Sequence, residues 1–565
     1  MLNINNRRYS STKKYRNALF LLLVFSLTIT NHLFAQAALT PAQAAAVSTT
    51  NQGPGNATNV SARINGTNVT FYTNNFNATR RGRVTSFTPT TGTSNAINNE
   101  ITRLSNLPGT SGGVIYLRRG GSNIYNFNNT IRLRSNIRIA IDPQVTLRLA
   151  NNRVVLFSIG REGNNLTRLR NVEIVCASNN TNDRFTIDFR PRPGIASDPI
   201  NRDNIRSNNK PNINPATAFR VGFVKNFAIS GFQINGNYTT NPSVFIVADD
   251  DRSSLNTFDR IATNGVVRNA SANRIATGYA LVQLFSGNNI FLQNLNGTEG
   301  ITVRLEPGNG RGVAGDPINA RGVPQTDGAI TNIRLDNITN RNGYTSLFMQ
   351  PHSKLCENID ANRINAINSF CSVFITSPVL QIFPNRRRGR FSNVNIRTVT
   401  IRGNNPTIPV TGNLQARTNA VRNGSFFNAQ MNLESTVFLL PAHREAVRNV
   451  FRDSRSSMPR PGFPTLFPVD GSRVRFASQT SAGVIIASSL TRSNVGPANL
   501  GRYGVNINAN NVTGSFANAN NGRRVLYRSD AISPIANSAN TPLDCFIDGE
   551  EDQPGTPCGQ IGFGN

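Results

Sequence analysis

Three polar side chains stand at the ends of two apolar segments, and their types could bind a ligand or act on it. Gln283 closes the run that starts at Gly278, and Arg304 and Glu306 close the run that starts at Gly300. An arginine guanidinium can pair with an oxyanion through two parallel hydrogen bonds. Polar groups built on a rigid sheet are typical of a binding or catalytic site. The alternative is that they are ordinary solvent-facing residues of exposed strands.

The elements that would position this patch are short strands that recur at irregular intervals. Each begins with Asn and an apolar residue, followed by short alternation of residue types. The occurrences are Asn136-Ile137, Asn171-Val172, Asn226-Phe227, Asn289-Ile290, Asn332-Ile333, Asn358-Ile359 and Asn393-Val394. Irregular loops on regular short strands predict a parallel β-helix, with Asn at the turns because it tolerates left-handed backbone angles and pairs with stacked neighbours. An antiparallel sandwich would need tight hairpin signals, which are scarce here.

The segments before this repeat predict an exported protein with a capped solenoid. Residues 1–35 have the basic start, apolar stretch and small-residue cleavage site of a secretory signal peptide, so we expect an extracellular, cell-surface or periplasmic location. We expect residues 36–90 to form a loosely ordered leader or a small strand addition. From Ser94 to Leu107, apolar residues share one helical face, which predicts a helix that caps the solenoid.

The remaining segments predict one long solenoid with an insertion. We expect the β-helix over residues 91–404, an inserted region of loop and helix over 405–475, further coils over 476–540 and an acidic tail over 541–565. The helix of the insertion is predicted over Pro441–Phe451, and strand-like runs resume at Val474–Phe476. No segment after the signal is apolar for the about 20 residues that a membrane span needs.

The charge of the chain predicts an anionic partner. The 565 residues carry a net charge of +30, and only five of the 59 basic residues are Lys. In an exported protein the natural anionic partners are sulfated or carboxylated polysaccharides rather than nucleic acid. The absence of Trp favours recognition by ion pairs over stacking of neutral sugars. Arginine could merely keep the surface soluble, but that explains a few charges more readily than thirty.

The five cysteines are too few and too scattered for a disulfide scaffold. Cys545 and Cys558 could bridge within the tail, and Cys356 and Cys371 could bridge neighbouring coils. Their spacing does not indicate a zinc site.

The stretch around Gln283 and Glu306 resembles glycoside hydrolase family 82, the iota-carrageenases. The similarity is strongest over about residues 220–380 and weaker over 93–220. The order of capping helix, solenoid and insertion agrees as well. The residues that carry the resemblance are Gly278-Tyr279, Leu281, Gln283, Asn289-Ile290, Asn294-Leu295, Gly300-Ile301, Arg304, Glu306, Pro351-His352 and Ser377-Pro378.

The resemblance implies a right-handed parallel β-helix that hydrolyses a β-1,4 bond of a sulfated galactan with inversion. It implies that Glu306 is the general acid, that Gln283 organises the site around a bound chloride, and that His352 lies nearby. It also implies structural calcium or sodium without identifying ligands, and no cofactor is required.

One expected carboxylate is missing. An inverting enzyme places its two carboxyl groups roughly 6.5–9.5 Å apart, and residues i and i+2 of a strand lie roughly 6.6 Å apart. The family has Glu-Thr-Asp, whereas this chain has Glu306-Pro307-Gly308. A further family carboxylate aligns with Phe374.

Two explanations remain open for the missing base. It could be replaced by Asp316, in the loop from Pro307 to Gly328, or by His352, which a count of strand positions places with Gln350 in the coil next to Glu306. Otherwise the protein acts on a differently sulfated galactan or binds glycan without cutting it. A polysaccharide lyase is a third reading, because such enzymes also use β-helices and basic residues.

Substrate binding is expected from arginine and amide side chains. Arg304 is the best-placed sulfate ligand, and Gln350 would lie beside it in the next coil. Arg386 and Arg387 form a second candidate, although a run of charges is usually a solvated face.

Overall fold

The computed structural model describes a set of segments that together cover most of the region before residue 403. They are residues 59–149, 155–160, 167–189, 216–236, 239, 241–248, 261–307, 328–341, 345–350, 355–367, 369, 371–375, 390–402, 407–409, 466–470, 473–476, 484–486, 505–507, 511–514 and 525–527. Within these segments the chain is a right-handed parallel β-helix, so the predicted fold class is confirmed.

Helices and strands are numbered along the chain. The helices are α1 (Ala78–Gly82) and α2 (Ser94–Ser105). The strands are β1 (Asn59–Ile64), β2 (Thr67–Thr73), β3 (Val84–Phe87), β4 (Gly113–Leu117), β5 (Ile124–Phe127), β6 (Ile131–Arg132), β7 (Ile137–Ile141), β8 (Thr146–Leu149), β9 (Val155–Ile159), β10 (Leu169–Cys176), β11 (Phe185–Asp188), β12 (Thr217–Val221), β13 (Val224–Asn235), β14 (Val244–Ile246), β15 (Thr263–Leu284), β16 (Gly287–Leu305), β17 (Ile330–Arg341), β18 (Thr345–Met349), β19 (Leu355–Ile367), β20 (Cys371–Ile375), β21 (Arg390–Ile396), β22 (Val399–Arg402), β23 (Thr407–Pro409), β24 (Leu466–Asp470), β25 (Arg473–Phe476), β26 (Val484–Ile486), β27 (Val505–Ile507), β28 (Val512–Gly514) and β29 (Val525–Tyr527).

Parallel pairing from coil to coil stacks the strands into three faces. The first face contains β3, β4, β7, β10, β21 and β27 with the starts of β13, β15, β16, β17 and β19. The second contains β5, β8, β11, β22 and β28 with the later parts of β13, β17 and β19 and the middles of β15 and β16. The third contains β6, β9, β12, β14, β18, β20, β26 and β29 with the ends of β15 and β16.

The interior of the solenoid is apolar because alternate residues of each strand point inward. Aromatic rings pack against one another in this interior: the Phe157 and Phe219 rings of neighbouring coils stack with their centroids 5.4 Å apart, and the tilted Phe219 and Phe232 rings meet between the third and second faces with their centroids 5.0 Å apart. These side chains are fully buried. The core therefore fixes each strand's register and determines which residues point outward.

Asparagine occupies the turns, as predicted. All seven Asn residues of the repeat have left-handed backbone angles, with φ between 51° and 67°. Their amides also pair from coil to coil: Asn171 Nδ2 donates to Asn136 Oδ1 at 2.7 Å, and Asn226 Nδ2 donates to Asn171 Oδ1 at 2.8 Å. Each Asn thus satisfies both the backbone angle and its own amide.

The helix predicted over Ser94–Leu107 is present as α2. The Thr93 hydroxyl caps its start by accepting from the Ala96 N–H, and Ile97, Ile101 and Leu104 are buried. This apolar face packs against β4, β6 and β7 at the start of the solenoid. Neither helix of the described segments is long and apolar enough to cross a membrane.

A hairpin of β1 and β2 lies across the first face. Ile64, Phe71 and Tyr72 pack on Ala228, Val266 and Phe291. Its tip is held where the Asn65 N–H donates to Asp360 Oδ2 at 2.9 Å, and the Tyr72 hydroxyl donates to the buried Glu173. The chain therefore covers part of the first face itself.

Two boundaries differ from the expected ones. β3 pairs in register with β4, so the solenoid begins at Val84 rather than at residue 91. In the expected insertion, β23, β24 and β25 form a small antiparallel sheet, so the run at Val474–Phe476 belongs to this sheet and not to a coil. The solenoid continues at β26, which pairs with β20. The signal peptide, the helix at Pro441–Phe451 and the acidic tail lie outside the described residues.

The proposed bridge between Cys356 and Cys371 is wrong. Both are free, buried thiols, because Cys356 belongs to the first face and Cys371 to the third. Burial raises the pKa of Cys356, and it raises that of Cys371 to about 12. Cys545 and Cys558 lie outside the described residues.

Candidate functional site

A column of outward side chains crosses the third face. The strand register aligns Phe245, Gln283, Arg304, Phe348 and Phe374 in five successive coils. They point outward because their neighbours along each strand, such as Val303 and Leu305, are buried in the core. Neighbouring strands of a sheet lie about 4.8 Å apart, so these side chains touch along the column.

Glu306 and Gln350 follow the column at the ends of their strands. The Glu306 N–H donates to the Leu284 carbonyl at 2.9 Å, and the Gln350 N–H donates to the Leu305 carbonyl at 2.9 Å. The backbone ladder thus extends one residue beyond β16 and β18. Gln350 therefore lies beside Glu306 in the next coil, in the register obtained by counting strand positions.

Three of the predicted residues meet in one buried cluster. Gln283 Nε2 donates to Glu306 Oε2 at 2.6 Å, and Arg304 Nη2 donates to Glu306 Oε1. The Glu306 side chain is 0% exposed, whereas that of Arg304 is 17% exposed. A solvent ion can therefore reach the guanidinium but not the carboxylate.

An aromatic pair supports Arg304 from the next two coils. The guanidinium carbon lies 4.8 Å from the centre of the Phe348 ring, and the Phe348 and Phe374 ring centres are 5.3 Å apart. Sequence reasoning missed Phe348. The signal was available, because the count that places Gln350 beside Glu306 also places Phe348 beside Arg304.

Tyr279, near the end of β15, is coupled to the same charges. Burial raises the pKa of its hydroxyl, the Arg304 charge lowers it and the Glu306 charge raises it, with a net rise above the usual value of 10.0. Tyr279 is therefore neutral at neutral pH and adds no charge to the cluster.

The structure places some candidate residues and leaves others outside it. Gln283, Arg304, Glu306 and Gln350 come together on adjoining coils. Phe374, which stands where the resemblance expects a carboxylate, is buried against Phe348. The remaining candidates, His352, Asp316, Arg386 and Arg387, lie outside the described residues.

Gln283, the residue expected beside a bound chloride, is engaged with Glu306. Its Nε2 donates one of its two N–H groups to Glu306, and its Oε1 finds no donor among the described residues. No group of three His, Cys, Asp or Glu side chains that could hold a metal ion occurs in the described segments.

The cluster combines one group that can carry a proton with one that can bind an oxyanion. Arg304 stabilises the ionised form of Glu306 through a charge-assisted hydrogen bond. The Gln283 amide fixes the orientation of the second carboxylate oxygen. Such an arrangement can exchange a proton with a ligand bound at Arg304.

Comparison with known proteins agrees with the resemblance that the residues around Glu306 indicate. An iota-carrageenase of Alteromonas macleodii is 25% identical over 300 residues, which cover 52% of this chain and 51% of that protein. An iota-carrageenase of Zobellia galactanivorans is 27% identical over 168 residues, covering 30% of this chain and 31% of that protein. The chain thus spans about half the length of the first relative. No protein-family model matches the chain.

A solved structure is also similar. It is a 1,3-α-1,4-β-D-galactose-4-sulfate-3,6-anhydro-D-galactose-2-sulfate 4 galactohydrolase, 19% identical, with 73% of this chain and 81% of that chain covered at a TM-score of 0.46. The sequence similarity confirms the resemblance that the residues around Glu306 indicate, and the chain is similar, at a divergent level, to the iota-carrageenases.

Proposed function

We propose that this protein is an endo-hydrolase of a sulfated galactan, with iota-carrageenan or a close relative as its substrate. The observation that carries the proposal is the Glu306 carboxyl, held between Gln283 and the solvent-accessible Arg304 on the third face. The sequence similarity to iota-carrageenases supports the same substrate class. A secreted protein would meet this substrate outside the cell.

In this proposal Glu306 is the general acid. It protonates the glycosidic oxygen of the leaving sugar while a sulfate of the substrate pairs with Arg304. Bidentate pairing with sulfate would fix the chain of sugars relative to the carboxyl. Gln350 lies in the adjoining coil and could donate to a sugar hydroxyl, and Arg386 and Arg387 are further candidates for sulfate binding.

Water activation is assigned to Asp316 or His352. An inverting reaction needs a base on the opposite side of the sugar ring from the acid, and the position two residues after Glu306 is Gly308. Added azide, a nucleophile that needs no proton removal, separates the two candidates. The base is the residue whose Asn variant loses hydrolysis and regains cleavage with azide.

The test of the proposal is digestion of a panel of carrageenans, agars and uronate polymers. We expect new reducing ends from a sulfated galactan and no unsaturated ends, which a lyase would produce. Glu306→Gln should lower the rate by about 10²-fold or more while polymer binding persists. Glu357→Gln, on the first face, is the matched control and should retain the rate. Full activity of Glu306→Gln would remove Glu306 from the mechanism.

A second function is favoured by two features of the site. Glu306 is closed off by its ion pair with Arg304, and Gly308 stands where the resemblance expects the base. Both features suit a protein that binds sulfated glycan without cutting it. Binding of carrageenan with no reducing ends from any polymer of the panel would favour this function.

A further inference from the structure

The ion pair at the site favours the ionised form of the proposed acid. Glu306 can donate a proton only as a neutral carboxylic acid. In the structure its Oε1 accepts from Arg304 and its Oε2 accepts from Gln283. Both contacts stabilise the carboxylate. Something must therefore change at this pair before the proton can be given to a substrate.

The solvent exposures of Arg304 and Glu306 indicate what could break their ion pair. Arg304 is 17% exposed and Glu306 is 0% exposed. A sulfate arriving from solvent thus meets the guanidinium first and competes with the carboxylate for its N–H groups. The Phe348 ring, 4.8 Å below the guanidinium, provides a flat surface on which it can turn while it keeps its cation–π contact.

We propose that a sulfate of the substrate draws Arg304 away from Glu306, and that Glu306 then takes up one proton from solvent. This inference rests on the proposed function and gives the order of its first steps. Arg304 keeps its charge and pairs with the sulfate. Burial of a carboxylate away from its cation favours the neutral acid. The substrate itself thus converts Glu306 into a proton donor.

The geometry also selects the oxygen that receives the proton. Oε1 is the atom that Arg304 leaves, whereas Oε2 continues to accept from Gln283 Nε2. In this proposal the new O–H group therefore lies on Oε1, the oxygen that faced the guanidinium.

The groups around Glu306 on the described strands are compatible with this exchange. Arg304 is the cation beside it on β16, and Tyr279 on β15 is its titratable neighbour. Because burial raises the pKa of Tyr279 above 10.0, this hydroxyl keeps its proton at neutral pH. Gln283 and Gln350, from the two adjoining coils, carry no charge.

Calorimetry in two buffers with different heats of ionisation tests the inference. The probes are a sulfated galactan tetrasaccharide, its desulfated form and inorganic sulfate. We expect the sulfated probes to bind with uptake of about one proton per chain near neutral pH, and the desulfated form to bind without it. Cleavage of a glycosidic bond consumes no net proton, so hydrolysis during the titration does not disturb the count.

Two variants and a control localise the proton. Glu306→Gln should bind the sulfated tetrasaccharide without proton uptake, and Glu357→Gln should behave as the unaltered protein. Arg304→Gln should also show no uptake, because the ion pair that the sulfate breaks is already absent, and should bind the sulfated probe about tenfold more weakly. Infrared difference spectra should show the band of a protonated carboxyl on binding, absent in Glu306→Gln.

The inference fails if the sulfated probes bind without proton uptake, if Glu306→Gln takes up as many protons, or if no sulfated probe binds. Its failure is distinguishable from that of the proposed function. Proton uptake without new reducing ends would leave the inference standing and remove hydrolysis. New reducing ends without proton uptake would leave hydrolysis standing and remove the inference.

Discussion

At the scale of single residues, Glu306 owes its surroundings to two simple rules of strand geometry. Arg304 is two positions earlier on the same strand and so points to the same side. Gln283 lies opposite Arg304 in the preceding coil. Both positions could be derived from the sequence once the register was counted, and the count also placed Gln350 correctly.

The same count stops at the ends of the paired strands. Register is transmitted by backbone hydrogen bonds, so it fixes residues on paired strands and stops where pairing stops. Asp316 lies in the stretch between β16 and β17, and His352 lies between β18 and β19. The periodicity of the strands therefore does not give their distance from Glu306.

Replacement of Phe348 tests how Arg304 is held. Phe348→Leu removes the ring under the guanidinium, a contact worth about 1 kcal/mol. We therefore expect affinity for the sulfated tetrasaccharide to fall by about fivefold. Phe245→Leu is the matched control, because that ring lies under Arg220 instead, at 5.9 Å. Equal losses in both variants would contradict a specific role for Phe348.

At the scale of elements, the asparagine turns were the most predictable part of the fold. The repeat of Asn and an apolar residue identified seven turns with left-handed backbone angles, because few other side chains tolerate that conformation. The position of the hairpin of β1 and β2 on the solenoid was not predicted. It pairs only with itself, and its position depends on distant contacts with Glu173 and Asp360.

Two substitutions of Asn332 separate its two roles in a turn. Its φ is 56°, its amide donates to Asn288 Oδ1 at 2.8 Å, and its own Oδ1 accepts from Asn358 at 2.6 Å. Asn332→Gly keeps the backbone angle and loses the hydrogen bonds, at a cost of about 1 kcal/mol. Asn332→Ala should cost about 1 kcal/mol more because Ala is strained in this conformation. Urea unfolding measures both, and equal stabilities would contradict the backbone contribution.

The attachment of the hairpin tip should depend on pH. Burial raises the pKa of Asp360, but hydrogen bonds from Arg397 and the Asn65 N–H and the charge of Arg334 outweigh burial, so the net pKa is below the usual 3.8. A lowered pKa means that the folded state favours the carboxylate. Its stabilisation is thus complete well above pH 3.8 and is lost as the pH falls through the lower, folded value.

We expect Asp360→Asn to lower the free energy of unfolding by about 2 kcal/mol at neutral pH. The difference from the unaltered protein should shrink below about pH 4, where the unaltered protein loses the same contribution. Asp336→Asn is the control, because its partner Arg363 is 53% exposed and such pairs contribute little. Thermal unfolding at both pH values measures the two variants, and a pH-independent difference for Asp360→Asn would contradict the argument.

At the scale of the whole molecule, the sequence defines a large excess of positive charge that internal pairing cannot remove. With 59 basic and 29 acidic residues, pairing every carboxylate with one cation would still leave a charge of +30. The carboxylates of Glu173, Glu306 and Asp360 are already paired with arginines in the structure. The excess must be balanced by ions from solvent or by a bound polyanion.

This excess predicts that polymer binding depends strongly on salt. Raising the salt from roughly 0.05 M to roughly 0.5 M shortens the Debye length several-fold, so affinity for a sulfated galactan should fall by about tenfold or more. Arg304→Gln should weaken binding at every salt concentration, because it removes a direct sulfate contact. Arg63→Gln, an exposed position on the hairpin over the first face, removes the same charge and should leave affinity for the tetrasaccharide unchanged. Equal effects of the two variants would mean that total charge, and not the third face, directs the polymer.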